Sequence, residues 1–367
     1  MTESIPGLSM GWFIPTQGDT SAFSDPSKSI PQSLEHFERV AVAAENAGFE
    51  YSLVPINPMC WDAWMVGSFI VARTQKLKVL LALKPGFIHP VAQAKMISTF
   101  DQLSKGRIAL NLIVGASEAD AYAEGQIKSK EERYRQLAEE VHMLKRLWTE
   151  ENVHYEGDFH SIRGARFKPE VYQKPHPEFF LGGGSEFAAE ISAQHSSTHL
   201  FWGDYPERIR EEIKSLRARA AKYGRENEIR FAMRLQIICR ETEQEAWDFA
   251  DQLIAGVDQD ASARVKAMTD ASVANDRQKE LSKTVGRKMT PHLWTGITEV
   301  RTGSGVAVVG DPQQVADQLM QFVEAGCSGF CLSGYPHHEE AERFGKLVMP
   351  ILRDYMEEKS YAAVNEL

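Results

Sequence analysis

The sequence predicts an α/β fold, and within that class a closed (β/α)8 TIM barrel carrying insertion segments. Three observations carry this. Short β-branched or apolar runs alternate with long amphipathic stretches from one end of the chain to the other, the pattern of a parallel sheet built from βα units. The units number eight, with about one helix per strand and no polar linker between halves. The 367 residues also exceed the roughly 250 that such a barrel needs, leaving a surplus that its loops absorb. A two-domain Rossmann-type protein is the second reading of the same pattern.

The strands are expected at Ser9–Ile14, Tyr51–Val54, Lys78–Leu83, Arg107–Val114, Phe179–Gly182, His199–Trp202, Arg230–Cys239 and Gly329–Leu332. The first helix opens at Ser33, repeats apolar residues at helical spacing and stops at Ala47-Gly48, a glycine where a helix commonly ends. Further helices are expected over Trp61–Thr74, Val91–Leu103, Lys130–Trp148, Phe187–Gln194, Glu207–Tyr223, Glu243–Ile254, Gln313–Ala325 and Glu339–Met356, the one at Gln313 being surplus to the repeat. Three segments fall outside it: about 115–130, a hairpin over 152–168 turning at Gly157-Asp158, and a charged stretch over 258–303. The last reads either as a lid on the mouth of the barrel or as a surface helix pair or dimer contact.

Composition narrows the function classes. Net charge is −10, from 41 basic against 51 acidic residues, which opposes a nucleic-acid surface; an anionic ligand would need local arginines. No run approaches the roughly 20 apolar residues of a membrane span, and the first residues lack a secretory pattern, so the expected location is cytoplasmic. Four cysteines, at 60, 239, 327 and 331, suit neither a disulfide framework nor a zinc site.

In a (β/α)8 barrel, chemistry gathers at the C-terminal ends of the strands. Gly182-Gly183-Gly184-Ser185 ends a strand and opens a helix. Its backbone N–H groups suit a phosphate, and a turn that merely needs glycine is the alternative. The absence of G-x-G-x-x-G after the first strand and of a P-loop favours a mononucleotide. In Phe231–Ile237 polar and apolar residues alternate, placing Arg234 and Gln236 on one face. A buried arginine there marks either a structural ion pair or a ligand anion such as a sulfonate or phosphate. Arg301, at the end of the 258–303 stretch, either closes over the same anion or stands in solvent. Cys60 has no base beside it and reads as a small buried residue near a ligand. Tyr335 suits hydrogen-bond donation into the cavity, and Trp202 an apolar wall.

Several segments together resemble one family: Trp12–Thr16, Cys60–Trp64, Phe100–Arg107, Asn111–Gly115, Glu132-Arg133-Tyr134, Gly182–Ser185, Trp202-Gly203, Arg240-Glu241-Thr242 and Leu332–His337. In that order, over roughly residues 9 to 355, they are similar to the bacterial luciferase-like superfamily, and within it to the alkanesulfonate and methanesulfonate monooxygenases. The resemblance implies reduced FMN delivered by a separate NAD(P)H-dependent flavin reductase, O2 as co-substrate, and a sulfonate-like anionic substrate whose C–S bond is cleaved to sulfite and an aldehyde. It places Cys60, Trp202, Arg234, Arg301, Tyr335 and the position of Gln236 among active-site residues. Asn111, Tyr134, Gly183, Gly184 and Ser185 fall where the flavin and its phosphate are held. It further implies a homodimer or homotetramer. This chain carries Gln17 and Gln236 where the family has histidines, so any proton exchange by those histidines is lost here. A deazaflavin (F420)-dependent oxidoreductase on the same barrel and a flavin monooxygenase with another substrate are the competing readings.

Overall fold

A computed structural model describes residues 4–115, 118–257, 273–301, 303 and 305–365. Fourteen strands are numbered here in chain order: β1 Ser9–Phe13, β2 Asp19–Thr20, β3 Ser29–Ile30, β4 Tyr51–Val54, β5 Lys78–Leu83, β6 Ile108–Leu112, β7 Val153–Glu156, β8 Ser161–Ala165, β9 Phe179–Gly182, β10 Thr198–Trp202, β11 Arg230–Cys239, β12 Leu293–Trp294, β13 Ala307–Gly310 and β14 Gly329–Ser333. Eight are parallel and hydrogen-bonded in the order β10-β9-β6-β5-β4-β1-β14-β11, and β10 pairs back onto β11 to close the ring. This is the closed barrel the βα rhythm predicts, and the Rossmann alternative falls with it.

The barrel interior is filled by alternate residues of the strands, among them Phe13, Leu53, Leu80, Phe180, Leu200 and Ala232. Tyr51 is the largest of this layer, and its hydroxyl donates to the Phe330 carbonyl at 3.1 Å. Its ring lies against Gly11: a Cβ there would stand 2.1 Å from the Tyr51 ring, so this strand position admits only glycine. A second and larger apolar layer lies between the sheet and the helices.

The helices are α1 Leu34–Ala47, α2 Ala63–Arg73, α3 Pro90–Ser104, α4 Glu118–Ala123, α5 Lys130–Thr149, α6 Glu186–His195, α7 Pro206–Ala221, α8 Glu243–Ile254, α9 Val273–Val285, α10 Pro312–Ala325, α11 His337–Leu347 and α12 Met349–Asn365. Their ends follow local chemistry. Ser33 accepts from the His36 N–H to start α1, and Gly48 at φ 97° ends it. Reciprocal Ser129/Glu132 and Asp311/Gln314 pairs start α5 and α10.

Three of the differences from the sequence reading have a plain physical reason. The strand Ala307–Gly310 went unread, and β11 explains it. At ten residues β11 outruns the barrel layer, and its last four, Gln236–Cys239, pair in parallel with β13. Consequently the helix near Gln313 is not surplus: α10 follows β13 and packs beside α7, while α8 lies over the β11–β13 extension. The single helix expected over Glu339–Met356 is two, because Pro350 in the first turn of α12 has no N–H to continue the ladder.

Within 152–168, β7 and β8 pair antiparallel, and the Glu139 carboxylate accepts the N–H groups of Asp158, Phe159 and His160 at the turn. Of the 258–303 stretch, residues 258–272 lie outside the described residues. Among the described residues no helix is long and apolar enough to cross a membrane.

Candidate functional site

The C-terminal mouth of the barrel holds a cavity of about 280 Å³. Strand order sets β6 and β9 on one side of it and β1 and β14 on the other, and the two sides have different chemistry.

On the β6–β9 side the wall is made by Asn111, Gly183, Gly184, Ser185 and Tyr134. Gly182 ends β9, and Gly183 takes φ 140°, which suits only glycine. A Cβ on Gly183 would sit 3.2 Å from the Ala188 Cβ and 3.7 Å from the Tyr134 hydroxyl, so the bare backbone lets the loop fold tightly onto the helix. Ser185 caps α6 by accepting the Ala188 N–H, and its hydroxyl lies 3.3 Å from that of Tyr134. The positive end of a ten-residue helix, two hydroxyls and exposed backbone donors therefore meet at the cavity wall. Arg133 supports this corner from behind, donating to the carbonyls of Val114 and Lys128.

The opposite side is cationic. Arg234 is 7% exposed. Its Nη1 donates to the carbonyl of Leu235 at 2.9 Å and to the Ser333 hydroxyl at 3.0 Å. Its guanidinium lies 4.7 Å from the centroid of the Phe13 ring, and that of Arg301 lies 5.5 Å from the same centroid. Burial lowers the Arg234 pKa, and the positive charge of Arg301 adds to that. Two guanidiniums gathered at one ring repel each other, and an anion placed between them relieves both.

Arg301 also donates to the Tyr335 hydroxyl, which leaves the phenol's own proton available for donation. Burial raises the Tyr335 pKa and the adjacent Arg301 opposes it, so the phenol is neutral at physiological pH. Trp202, at the end of β10, and Leu200 complete an apolar wall.

Of the sequence candidates, Tyr335, Gln236 and Cys60 are not among the residues that line the cavity, whereas Gln17 is. Gln236 is buried behind Arg234, its Oε1 accepting from Ser333 at 2.6 Å, so Arg234, Ser333 and Gln236 form one chain. Cys60 is half-buried beside the cavity, and burial raises its pKa, so it is a thiol rather than a thiolate at neutral pH. Gln17 lies on the rim, accepting from Asn57.

Sequence reasoning gave no role to Asp19 or His337. The His337 Nδ1 is 2.8 Å from Asp19 Oδ1, the His337 N–H donates to Asp19 Oδ2 at 2.8 Å, and the ring packs edge-on against Tyr335 at 4.9 Å. This ties the β14–α11 turn to the loop after β1. Both residues lie just beyond strand ends, where barrel chemistry gathers, and that position was the available signal.

The start of α9 and the residues that follow the helix reach the mouth: Val273, Arg301 and Gly303 all line the cavity. The Arg277 guanidinium grips Asp204, two residues past β10, through Nε–Oδ2 at 2.7 Å and Nη2–Oδ1 at 2.9 Å, and Gln278 donates to the Gly203 carbonyl at 2.8 Å.

A glycine-rich helix N-terminus and an arginine pair thus face one mouth of the barrel. The chain belongs to the luciferase-like monooxygenase family, whose model matches residues 8–329. Among solved structures it is similar to riboflavin lyase (RcaE) with modified FMN and riboflavin, at TM-score 0.78 and 20% identity over 95% of this chain and 92% of that one. DmoA from Hyphomicrobium sulfonivorans matches at TM-score 0.74 and 20% identity, over 96% and 89%. The coenzyme F420-dependent tetrahydromethanopterin reductase from Methanopyrus kandleri matches at TM-score 0.68 and 18% identity, over 94% and 99%. At these identities the likeness is one of fold.

Proposed function

We propose that this protein is the oxygenase component of a two-component system that takes reduced FMN from a separate NAD(P)H-dependent flavin reductase and oxidises an organosulfonate. The observation that carries this reading is the pairing, in one cavity, of the Gly183–Ser185 and Tyr134 cradle with the Arg234 and Arg301 guanidiniums. The cradle fits a flavin phosphate: it offers backbone donors, a helix N-terminus and two hydroxyls, with no side chain on Gly183 or Gly184 to obstruct them. Asn111 at the end of β6 supplies an amide to the ring system.

Bound reduced FMN supplies the two electrons with which oxygen is activated. In the overall balance a sulfonate, O2 and reduced FMN give an aldehyde, sulfite, a proton, water and oxidised FMN. The chain's own work is positional. Arg234 and Arg301 hold the sulfonate oxygens, Trp202 and Leu200 bound the carbon chain, and Tyr335, behind Arg301, keeps a proton at its hydroxyl. The α9 segment excludes water. Cys60 takes no part as a nucleophile.

The test is sulfite release from a panel of linear, taurine-like and aromatic sulfonates, with FMN, NADH and a generic flavin reductase. The proposal expects sulfite above the no-enzyme control with at least one linear member. A panel entirely at background, with reduced FMN still bound, would transfer the barrel to a different substrate class.

The deazaflavin reading draws on the likeness to the F420-dependent reductase, whose barrel this chain shares over 94% of its length. Cofactor binding separates the two.

A further inference from the structure

Behind the cavity, three elements bring together a second group of chemistry-bearing side chains that the oxygenase reading does not use. Asp19 lies in β2, His36 in the first turn of α1 and His338 in the first turn of α11, and α1 and α11 pack side by side. Each residue offers one ligand atom, and the three atoms lie within 4.8 Å of one another. His36 Nε2 is 3.1 Å from Asp19 Oδ2. The two imidazoles meet edge to face, with centroids 5.7 Å apart. The Asp19 and His36 side chains are 0% and 4% exposed, and His338, at 14%, stands toward solvent.

His36 Nε2, the nitrogen that faces the site, is engaged with Asp19 Oδ2, and one nitrogen on each imidazole is left over. His36 Nδ1 and His338 Nδ1 are sealed from solvent with no hydrogen-bond partner among the described residues. A buried carboxylate with two imidazoles converging on it is the donor set of divalent transition cations, zinc above all. Metal–ligand bonds of about 2.1 Å separate the donors of a tetrahedral site by roughly 3.4 Å. The Asp19–His36 pair is already close to that, and all three ligand atoms lie within 4.8 Å of one another. The outer support of such a site is present too: the carboxylate is fixed by His337 through its ring and its backbone N–H.

We propose that Asp19, His36 and His338 form a divalent-cation site of the zinc class, with a fourth position for water on the solvent side of His338. Because Asp19 also holds His337, the bound cation fastens the Tyr335–His337 turn to the loop after β1. The site is independent of the substrate assigned to the cavity.

The experiment is a titration of the full-length, metal-stripped protein with Co²⁺, followed by its visible d–d absorption and then by displacement with Zn²⁺. One equivalent per chain with a tetrahedral spectrum is expected, displaced by Zn²⁺. His338→Leu is expected to weaken binding roughly tenfold or more, while His154→Gln, on the exposed hairpin, leaves it unchanged. His338→Cys is expected to retain the site and add a thiolate-to-Co²⁺ charge-transfer band. That signature decides the matter even where the leucine variant folds poorly. Absence of a Co²⁺ spectrum in the parent protein, affinity indifferent to His338→Leu, or a cysteine variant without the new band overturns the proposal.

Discussion

Arg234 shows how strand geometry alone places a single residue at the mouth of the barrel. Alternation along β11 was enough to place it and Gln236 on one face, and both are buried there. What it did not show is Ser333, a residue of β14 far along the chain that bridges the two and sets Gln236 a layer behind. Pairing between distant strands leaves no mark in a local pattern. Asp19 and His337 were unassigned for the same reason, since their contact spans 318 positions. The arginine's role gives a prediction. Arg234→Ala should lower kcat/KM for a sulfonate roughly 10- to 100-fold, the range of a charge-assisted hydrogen bond, while the Kd for reduced FMN stays within about twofold. Steady-state kinetics beside a flavin titration measures both, and unchanged turnover would remove the arginine from substrate binding.

Elements were legible where their signals are local. The cap at Ser33 and the glycine at 48 announce the ends of α1 in the sequence itself. The short strand β13 escaped because four apolar residues after a charged stretch carry no periodicity, and only the overlong β11 gives them a partner. The segment ending in Arg301 was visible as a departure from the βα rhythm. Its docking through the Asp204–Arg277 fork was not, because acid and base there belong to different elements. If that fork holds α9 over the mouth, Asp204→Asn should raise the KM for substrate about tenfold and speed tryptic cleavage between residues 273 and 303, with little change in melting temperature. Equal cleavage rates in the two proteins would show that the fork is not what holds the segment down.

At the scale of the whole molecule, the sequence carried the architecture because each of eight strands is a distinct apolar run and each intervening helix is amphipathic. The barrel then dictates that the strand ends converge, which is why scattered residues such as Asn111, Tyr134, Ser185, Trp202, Arg234 and Arg301 line one cavity. The chemistry of that cavity follows from its asymmetry, a helix-terminated glycine cradle on one side and two guanidiniums over Phe13 on the other. Which cofactor the cradle accepts decides the class of reaction. The most direct measurement is an anaerobic titration of the protein with reduced FMN, reduced riboflavin and reduced F420, followed by quenching of Trp202 and its neighbours. The account predicts one saturable site per chain for reduced FMN, at least roughly tenfold tighter than for riboflavin, a difference of about 1.4 kcal/mol assigned to the phosphate, and tighter than for F420. Tight binding of reduced F420 with none of reduced FMN would contradict it.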